Sequence, residues 1–180
     1  MPELWDLYEK DRRPLGRTIP RGEPLPQGTY HLAVGIAVLN RQGEILLTQR
    51  SPEKDPHGGC WEIPGGCAQA GETSLAAACR ELQEETGLAV LPEELTLLLQ
   101  EVLPGVHLDI YAATREGDKT ALRLQDGETE AAQWLPLEEW LCRVGQGDYL
   151  TPSWYPEPDL PLYPRLREYR RGKRNFDNHT

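Results

Sequence analysis

Cysteine is scarce in this chain and badly spaced for metal. Its four cysteines are Cys60, Cys67, Cys79 and Cys142, with no C-x2-C pair among them. That excludes the usual zinc-binding spacings, so the thiols read as buried or incidental. Long apolar runs are missing too: none approaches the roughly 20 residues of a membrane span. The opening M-P-E-L-W-D lacks a basic start and an apolar core, so no secretory leader is expected. A soluble cytoplasmic protein without a membrane partner follows. Positive charge is in deficit, with 19 Lys and Arg against 29 Asp and Glu, a net charge of −10 and a pI near 4.9. Such a balance argues against a nucleic-acid partner. An acidic protein can still handle anionic phosphates where metal ions mediate the contact. There is no internal repeat, and 180 residues are most simply one domain with a real core.

What is present centres on residues 66–88, G-C-A-Q-A-G-E-T-S-L-A-A-A-C-R-E-L-Q-E-E-T-G-L. Ala76, Ala77 and Ala78 favour helix and Gly87 stops it, so a helix is expected from Leu75 to Thr86. At 100° per residue, Leu75, Cys79, Leu82 and Thr86 share one face. Glu81, Glu84 and Glu85 then fall on the opposite face, within roughly a 100° arc. Like charges at this spacing repel, and acids in a last turn oppose the helix dipole. Divalent cations on those carboxylates would make sense of the pattern.

Elsewhere the expected elements alternate. Glu3–Asp11 reads as a short amphipathic helix through Leu4, Trp5, Leu7 and Tyr8. Residues 12–28, with Pro14, Pro20, Pro24 and Pro26, read as an extended arm. Its Arg12, Arg13, Arg17 and Arg21 are expected to be solvated, with contact to substrate phosphates as the alternative. Strands are expected at His31–Leu39 and Ile45–Arg50 around the N-R-Q-G-E turn. A short strand at Trp61–Ile63 enters Pro64-Gly65-Gly66, whose glycines let backbone approach metal or phosphate. Leu95–Leu103 and Val106–Thr114 flank Pro104-Gly105, and a polar, acidic loop spans 115–130. Ala131–Leu135 is a strand, Pro136 opens a helix through Arg143, and a last helix covers Leu162–Arg171 before the end frays. The domain reading is 1–28 as N-terminal helix and Pro-rich arm, 29–146 as the main domain, and 147–180 as a Pro/aromatic extension.

Gly66, Glu72 and Arg80-Glu81-Leu82-x-Glu84-Glu85-x-Gly87-Leu88 match G-x5-E-x7-R-E-U-x-E-E-x-G-U, where U is a bulky aliphatic residue, at every defined position. This resembles the Nudix box, the signature of Nudix hydrolases, over 23 residues. The resemblance implies an α+β Nudix fold, a mixed β-sheet sandwiched between α-helices. It also implies a Mg²⁺ site, with Mn²⁺ as the alternative ion, held by Glu81, Glu84, Glu85 and the Gly65 carbonyl. Such ions neutralise and orient a diphosphate and lower the pKa of an attacking water. Arg80 holds a carboxylate by a charge-assisted bond, and Glu72 orders the loop and helix. For the base, Glu81 and Glu84 are candidates, and family members often use an acid from a later loop. Asp126, Glu128 and Glu130 are available there. Glu128 is favoured, because it lies six residues before Trp134 in a segment that looks like the family's.

A wider resemblance, over roughly residues 3–142, rests on W-D-L-Y-E-K, T-Y-H-L-A-V, R-S-P-E-K and G-G-C-W. These look like the isopentenyl-diphosphate isomerase-like branch. True isomerases carry a catalytic Cys followed by Gly-His where this chain has Gly65-Gly66-Cys67; His31 matches another isomerase histidine. The departures argue against isomerisation. The expected activity is metal-dependent hydrolysis of a nucleoside diphosphate linked to another group. An isomerase-like protein or a non-catalytic nucleotide-binding Nudix module are the alternatives. Pro104, 16 residues beyond Leu88, resembles a marker of the ADP-ribose-cleaving subgroup, while an ordinary turn is the plainer reading. Trp61, Trp154 and Tyr155 are candidates to stack a base, with core packing the alternative for Trp61. The partner expected is a small nucleotide or diphosphate, and a homodimer is compatible with the pattern.

Overall fold

Nine consecutive buried residues, His31–Leu39 (β3), form the strand from which the sheet grows. Side chains alternate across a strand. Accordingly Leu32, Val34, Ile36 and Val38 enter one core cluster, while Ala33, Ala37 and Leu39 enter another on the opposite face. The computed structural model describes residues 2–53, 57–116, 122–144, 146–149 and 161–177.

Before β3 lie Leu4–Tyr8 (β1) and Pro14–Pro20 (β2); after it come Glu44–Arg50 (β4), Trp61–Glu62 (β5) and Gly65–Cys67 (β6). Ser74–Thr86 (α1) follows, then Thr96–Leu103 (β7), Val106–Thr114 (β8) and Thr129–Pro136 (β9). Leu137–Arg143 (α2) and Leu162–Asp177 (α3) close the chain. β3 runs parallel to β8 through nine paired residues and antiparallel to β6, and β7 pairs antiparallel with β8. β4 joins β3 at Leu39–Ile45, then turns away to pair along its length with β9 and briefly with β5.

Helices cover both faces of this mixed sheet. Ala77, Ala78 and Leu82 of α1 pack on the Val34 face. Leu137 and Trp140 of α2, with Leu162 and Leu166 of α3, are fully buried on the Ala37 face. The fold is therefore the expected α+β sandwich. No helix among the described residues is long and apolar enough to cross a membrane.

Three expectations need correction. Residues 4–8 are a strand, not a helix: Leu4, Trp5 and Asp6 pair with Pro20, Ile19 and Thr18 of the arm. A helix so short pays its nucleation cost alone, whereas the hairpin gains backbone pairing and buries Leu7 and Ile19. The face of α1 is also rotated. Leu75 is exposed and Ala77 and Ala78 are buried, because small side chains let the helix axis approach the sheet. Finally, α3 runs to Asp177, beyond Arg171. Residues 117–121 of the acidic loop and 178–180 of the chain end lie outside the described residues.

Candidate active site

The site is built where β6, β3 and α1 meet. Gly65 pairs with Gly35 and Gly66 with Val34. A Cβ on Gly65 would overlap the Val34 carbonyl, so only glycine lets these strands meet. On Gly66 it would stand 2.5 Å from the carboxylate of Glu81, so α1 crosses β6 with Glu81 seated on that glycine. The Gly65 amide donates to Glu85 Oε2 at 3.2 Å. Thr73 caps α1 by accepting from the Ala76 amide, and Gly87, at φ 76°, ends it in the left-handed conformation.

Arg80 ties the carboxylates together. Its Nε and Nη2 each donate to Glu72 at 2.8 Å, and Nη2 reaches the Cys67 carbonyl at 3.0 Å. Its Nη1 donates to Glu81 at 2.8 Å and to Glu84 at 2.9 Å. The fork on Glu72 holds that carboxyl below its ordinary range, and Glu72 in turn accepts from the Gln69 amide at 2.8 Å. Glu72 thus fastens the loop to the helix, as expected. Burial raises the Glu81 carboxyl, against the opposing pull of Arg80.

A cavity of about 420 Å³ opens over this arrangement, lined by Gly65, Glu81, Glu84 and Glu85 on one side. Glu128 lines it as well, whereas Asp126 and Glu130 are exposed and do not. The structure brings Glu128 there by strand pairing. Its carbonyl accepts from the Ser51 amide at 2.9 Å, Thr129 pairs with Arg50, and Gly127 turns the chain at φ 76°. Further lining residues escaped sequence reasoning: Arg50 and Glu62, ion-paired at 2.8 Å, Gln125, and Glu3 from the N-terminal hairpin. Arg21, whose alternative reading was contact with substrate phosphates, lines the cavity too, and Arg12, Arg13 and Arg17 do not. R-S-P-E-K was a visible signal for Arg50; nothing local marked Glu3.

The donor set suits a hard divalent cation, which prefers carboxylate and carbonyl oxygen. Glu81 is a half-buried acid beside Glu84, and an adjoining cation would stabilise its charged form. As the side chains stand, no three His, Cys, Asp or Glu among the described residues converge closely enough to hold an ion. Arg80 Nη1 bridges Glu81 and Glu84 instead, so cation binding requires those carboxylates to turn from it.

Other candidates fall elsewhere. Cys67 lines the cavity, but burial pushes its thiol up to about 12, which leaves it protonated and poorly nucleophilic near neutrality. His31 is buried and stacks on Trp5 with ring centroids 4.2 Å apart, away from the cavity lining. Pro104 and Gly105 form the β7–β8 turn; the Gly105 carbonyl accepts from the His31 amide, and neither residue lines the cavity. Trp61 packs against the core, and no aromatic side chain lines the cavity among the described residues. Trp154 and Tyr155 lie outside those residues.

The two glycines predict opposite failures. Gly65→Ala should lower the melting temperature by several degrees, because backbone has to yield at Val34. Gly66→Ala meets only the movable end of Glu81, so it should keep the fold and lose activity. Paired thermal melts and hydrolysis rates check this; a fully active Gly66→Ala protein would contradict the seating of Glu81.

A family model described as the NUDIX domain matches residues 29–157. The chain is 30% identical over 149 residues to an uncharacterised Nudix hydrolase of Listeria monocytogenes, covering 82% of this chain and 88% of the relative. Among solved structures, a protein of Deinococcus radiodurans superposes with a TM-score of 0.69 at 21% identity, over 92% of this chain and 98% of that one. The NUDIX domain of Shewanella oneidensis NrtR, complexed with ADP ribose, superposes at 0.59 with 22% identity, over 77% and 86%. At those identities the two structures speak to fold alone.

Proposed function

The chain belongs to the Nudix hydrolase family, and from that premise we propose that it cleaves the diphosphate linkage of a nucleoside diphosphate joined to a second group, using Mg²⁺. The observation that carries this reading is the convergence of Gly65, Glu81, Glu84, Glu85 and Glu128 on one cavity, of a volume suited to a small ligand. Glu81, Glu84, Glu85 and the Gly65 carbonyl are the residues that would hold the ion. When bound, it supplies charge neutralisation at the diphosphate and a more acidic water.

The chain's own residues do the rest. Glu128, brought to the cavity by the loop before β9, accepts the proton as the water oxygen attacks phosphorus. The bridging P–O bond breaks, and two phosphate monoesters leave. Arg80 keeps α1, β6 and the 67–72 loop in one register, so the carboxylates stay aligned on the cavity. Isomerisation is disfavoured, because position 65 carries no thiol and Cys67 is held protonated.

For the substrate, ADP-ribose or a similar nucleoside-diphosphate sugar is the reading we favour. The ADP-ribose bound to a protein of the same fold supports it; Pro104, which lies off the cavity, adds nothing to it. With Mg²⁺, ADP-ribose should yield AMP and ribose 5-phosphate. Glu128→Gln should lower kcat on the order of a hundredfold or more with KM nearly unchanged. Much faster turnover of dinucleoside polyphosphates or nucleoside triphosphates would reject ADP-ribose and leave the hydrolase reading standing on the box. Hydrolysis of nothing in that panel would favour a binding module.

A further inference from the structure

Three arginines line the cavity, and they differ in how far they are already committed. Arg80 is spent on Glu72, Glu81, Glu84 and the Cys67 carbonyl, with its side chain only 20% exposed. Among the described residues, Arg50 and Arg21 each make one side-chain hydrogen bond. That of Arg50 runs from Nη1 to Glu62, but its Nε is buried and the side chain is only 24% exposed, so it is less accessible to a ligand. That of Arg21 runs from Nη1 to Glu3 Oε2 at 2.9 Å, and its side chain is 49% exposed. A guanidinium has five donors in a planar fork, so most of this one remains available. Arg21 shares the cavity lining with Glu81, Glu84 and Glu85 of the carboxylate helix.

We infer that Arg21 is a substrate-positioning residue, contributed by the N-terminal hairpin, that binds the phosphate of the diphosphate on the hairpin side of the cavity. The inference rests on the nucleoside-diphosphate reading above and adds a residue outside the box to it. A cavity lined by Glu3, Glu62, Glu81, Glu84, Glu85 and Glu128 is strongly acidic, so a cation outside the carboxylate web adds to the neutralisation that an ion held by Glu81, Glu84 and Glu85 would supply.

Arg21 is held ready for that work. Its amide donates to the Glu3 carbonyl at 2.8 Å, and Glu3 Oε1 accepts from Trp5 Nε1 at 3.2 Å. Trp5 is stacked on His31, and the Leu4 carbonyl accepts from the Ala70 amide at 2.8 Å, beside the box loop. At the far end of the hairpin, Arg12 pairs with buried Asp109 at 2.6 Å. With both ends fastened, little ordering of the hairpin remains to be done on binding.

The test is calorimetric binding of α,β-methylene-ADP, a diphosphate that resists cleavage, to the full chain with Mg²⁺. Arg21→Gln should weaken binding about tenfold or more. Arg21→Lys should recover part of that loss by restoring charge. Both variants should melt close to the wild type, since the Arg21–Glu3 pair is partly solvated. Unchanged affinity in Arg21→Gln, with wild type still hydrolysing ADP-ribose, overturns this inference alone. Weaker binding with a lowered melting temperature, not recovered by lysine, marks a structural role and also overturns it. Wild type that neither binds the analogue nor hydrolyses any nucleotide overturns the inference and the proposed function together.

Discussion

Replacing Glu84 or Glu85 with Gln should lower turnover by orders of magnitude, on the order of a thousandfold if the carboxylate's contribution through a bound cation is several kcal/mol. Gln keeps the size and one oxygen acceptor, so the packing of α1 is untouched. Glu84 is exposed, and its bond to Arg80 is one an exposed pair makes at little net gain. Its substitution should therefore leave the melting temperature nearly unchanged. From sequence, relief of repulsion along the acidic face would raise that temperature. With Arg80 Nη1 between Glu81 and Glu84, the repulsion is already offset and no rise is expected. Steady-state rates beside thermal melts separate these effects; undiminished activity in either variant would remove the carboxylate from the site.

Arg80 should produce the opposite signature, with fold and activity falling together. Arg80→Ala leaves Glu72 without its fork, the Cys67 carbonyl without a donor and the half-buried Glu81 without its countercharge. Breaking a buried pair costs about 3–5 kcal/mol. These side chains retain some exposure, so about 2–3 kcal/mol is the better expectation, or roughly 5–10 °C of melting temperature for a domain of this size. Arg80→Lys should recover little, because an ammonium cannot reproduce the two-point bond to Glu72. A melting temperature within about 2 °C of wild type in Arg80→Ala would contradict the account of Arg80 as the tie between loop, strand and helix.

How much of this was legible in sequence follows from how local each determinant is. The box helix was readable to within one residue, since its alanines and Gly87 are local signals. Its buried face was not. Counting large apolar side chains picked Leu75, but packing on the Val34 face of the sheet is made by Ala77 and Ala78, and sequence alone does not reveal how closely a sheet approaches. The same rotation brings Glu81 and Glu85 beside the packed face, where they line the cavity, instead of opposite it. The segment 4–8 misled for a related reason. Its apolar spacing fits a helix, yet its partner, the arm at 14–20, supplies strand pairing that no local pattern announces.

Glu128 lines the cavity because Thr129, next to it, is the first residue of β9, which is paired along its length with β4. Glu3 and Arg21, more than 40 residues before the box helix in the chain, come to the cavity only through tertiary packing. Pro104 shows the converse. Its offset and its turn could be read from sequence, while the turn's place beside His31, off the cavity lining, could not.

The claim on which the rest depends is that Glu81, Glu84 and Glu85 together hold a divalent cation. Titrating metal-free protein with Mn²⁺ and following the free-ion signal by electron paramagnetic resonance tests it without reference to any substrate. Wild type should show saturable binding, and the triple variant Glu81→Gln, Glu84→Gln, Glu85→Gln, folded by its melting curve, should show none at the same concentrations. Equal Mn²⁺ binding by the triple variant and the wild type would contradict the account.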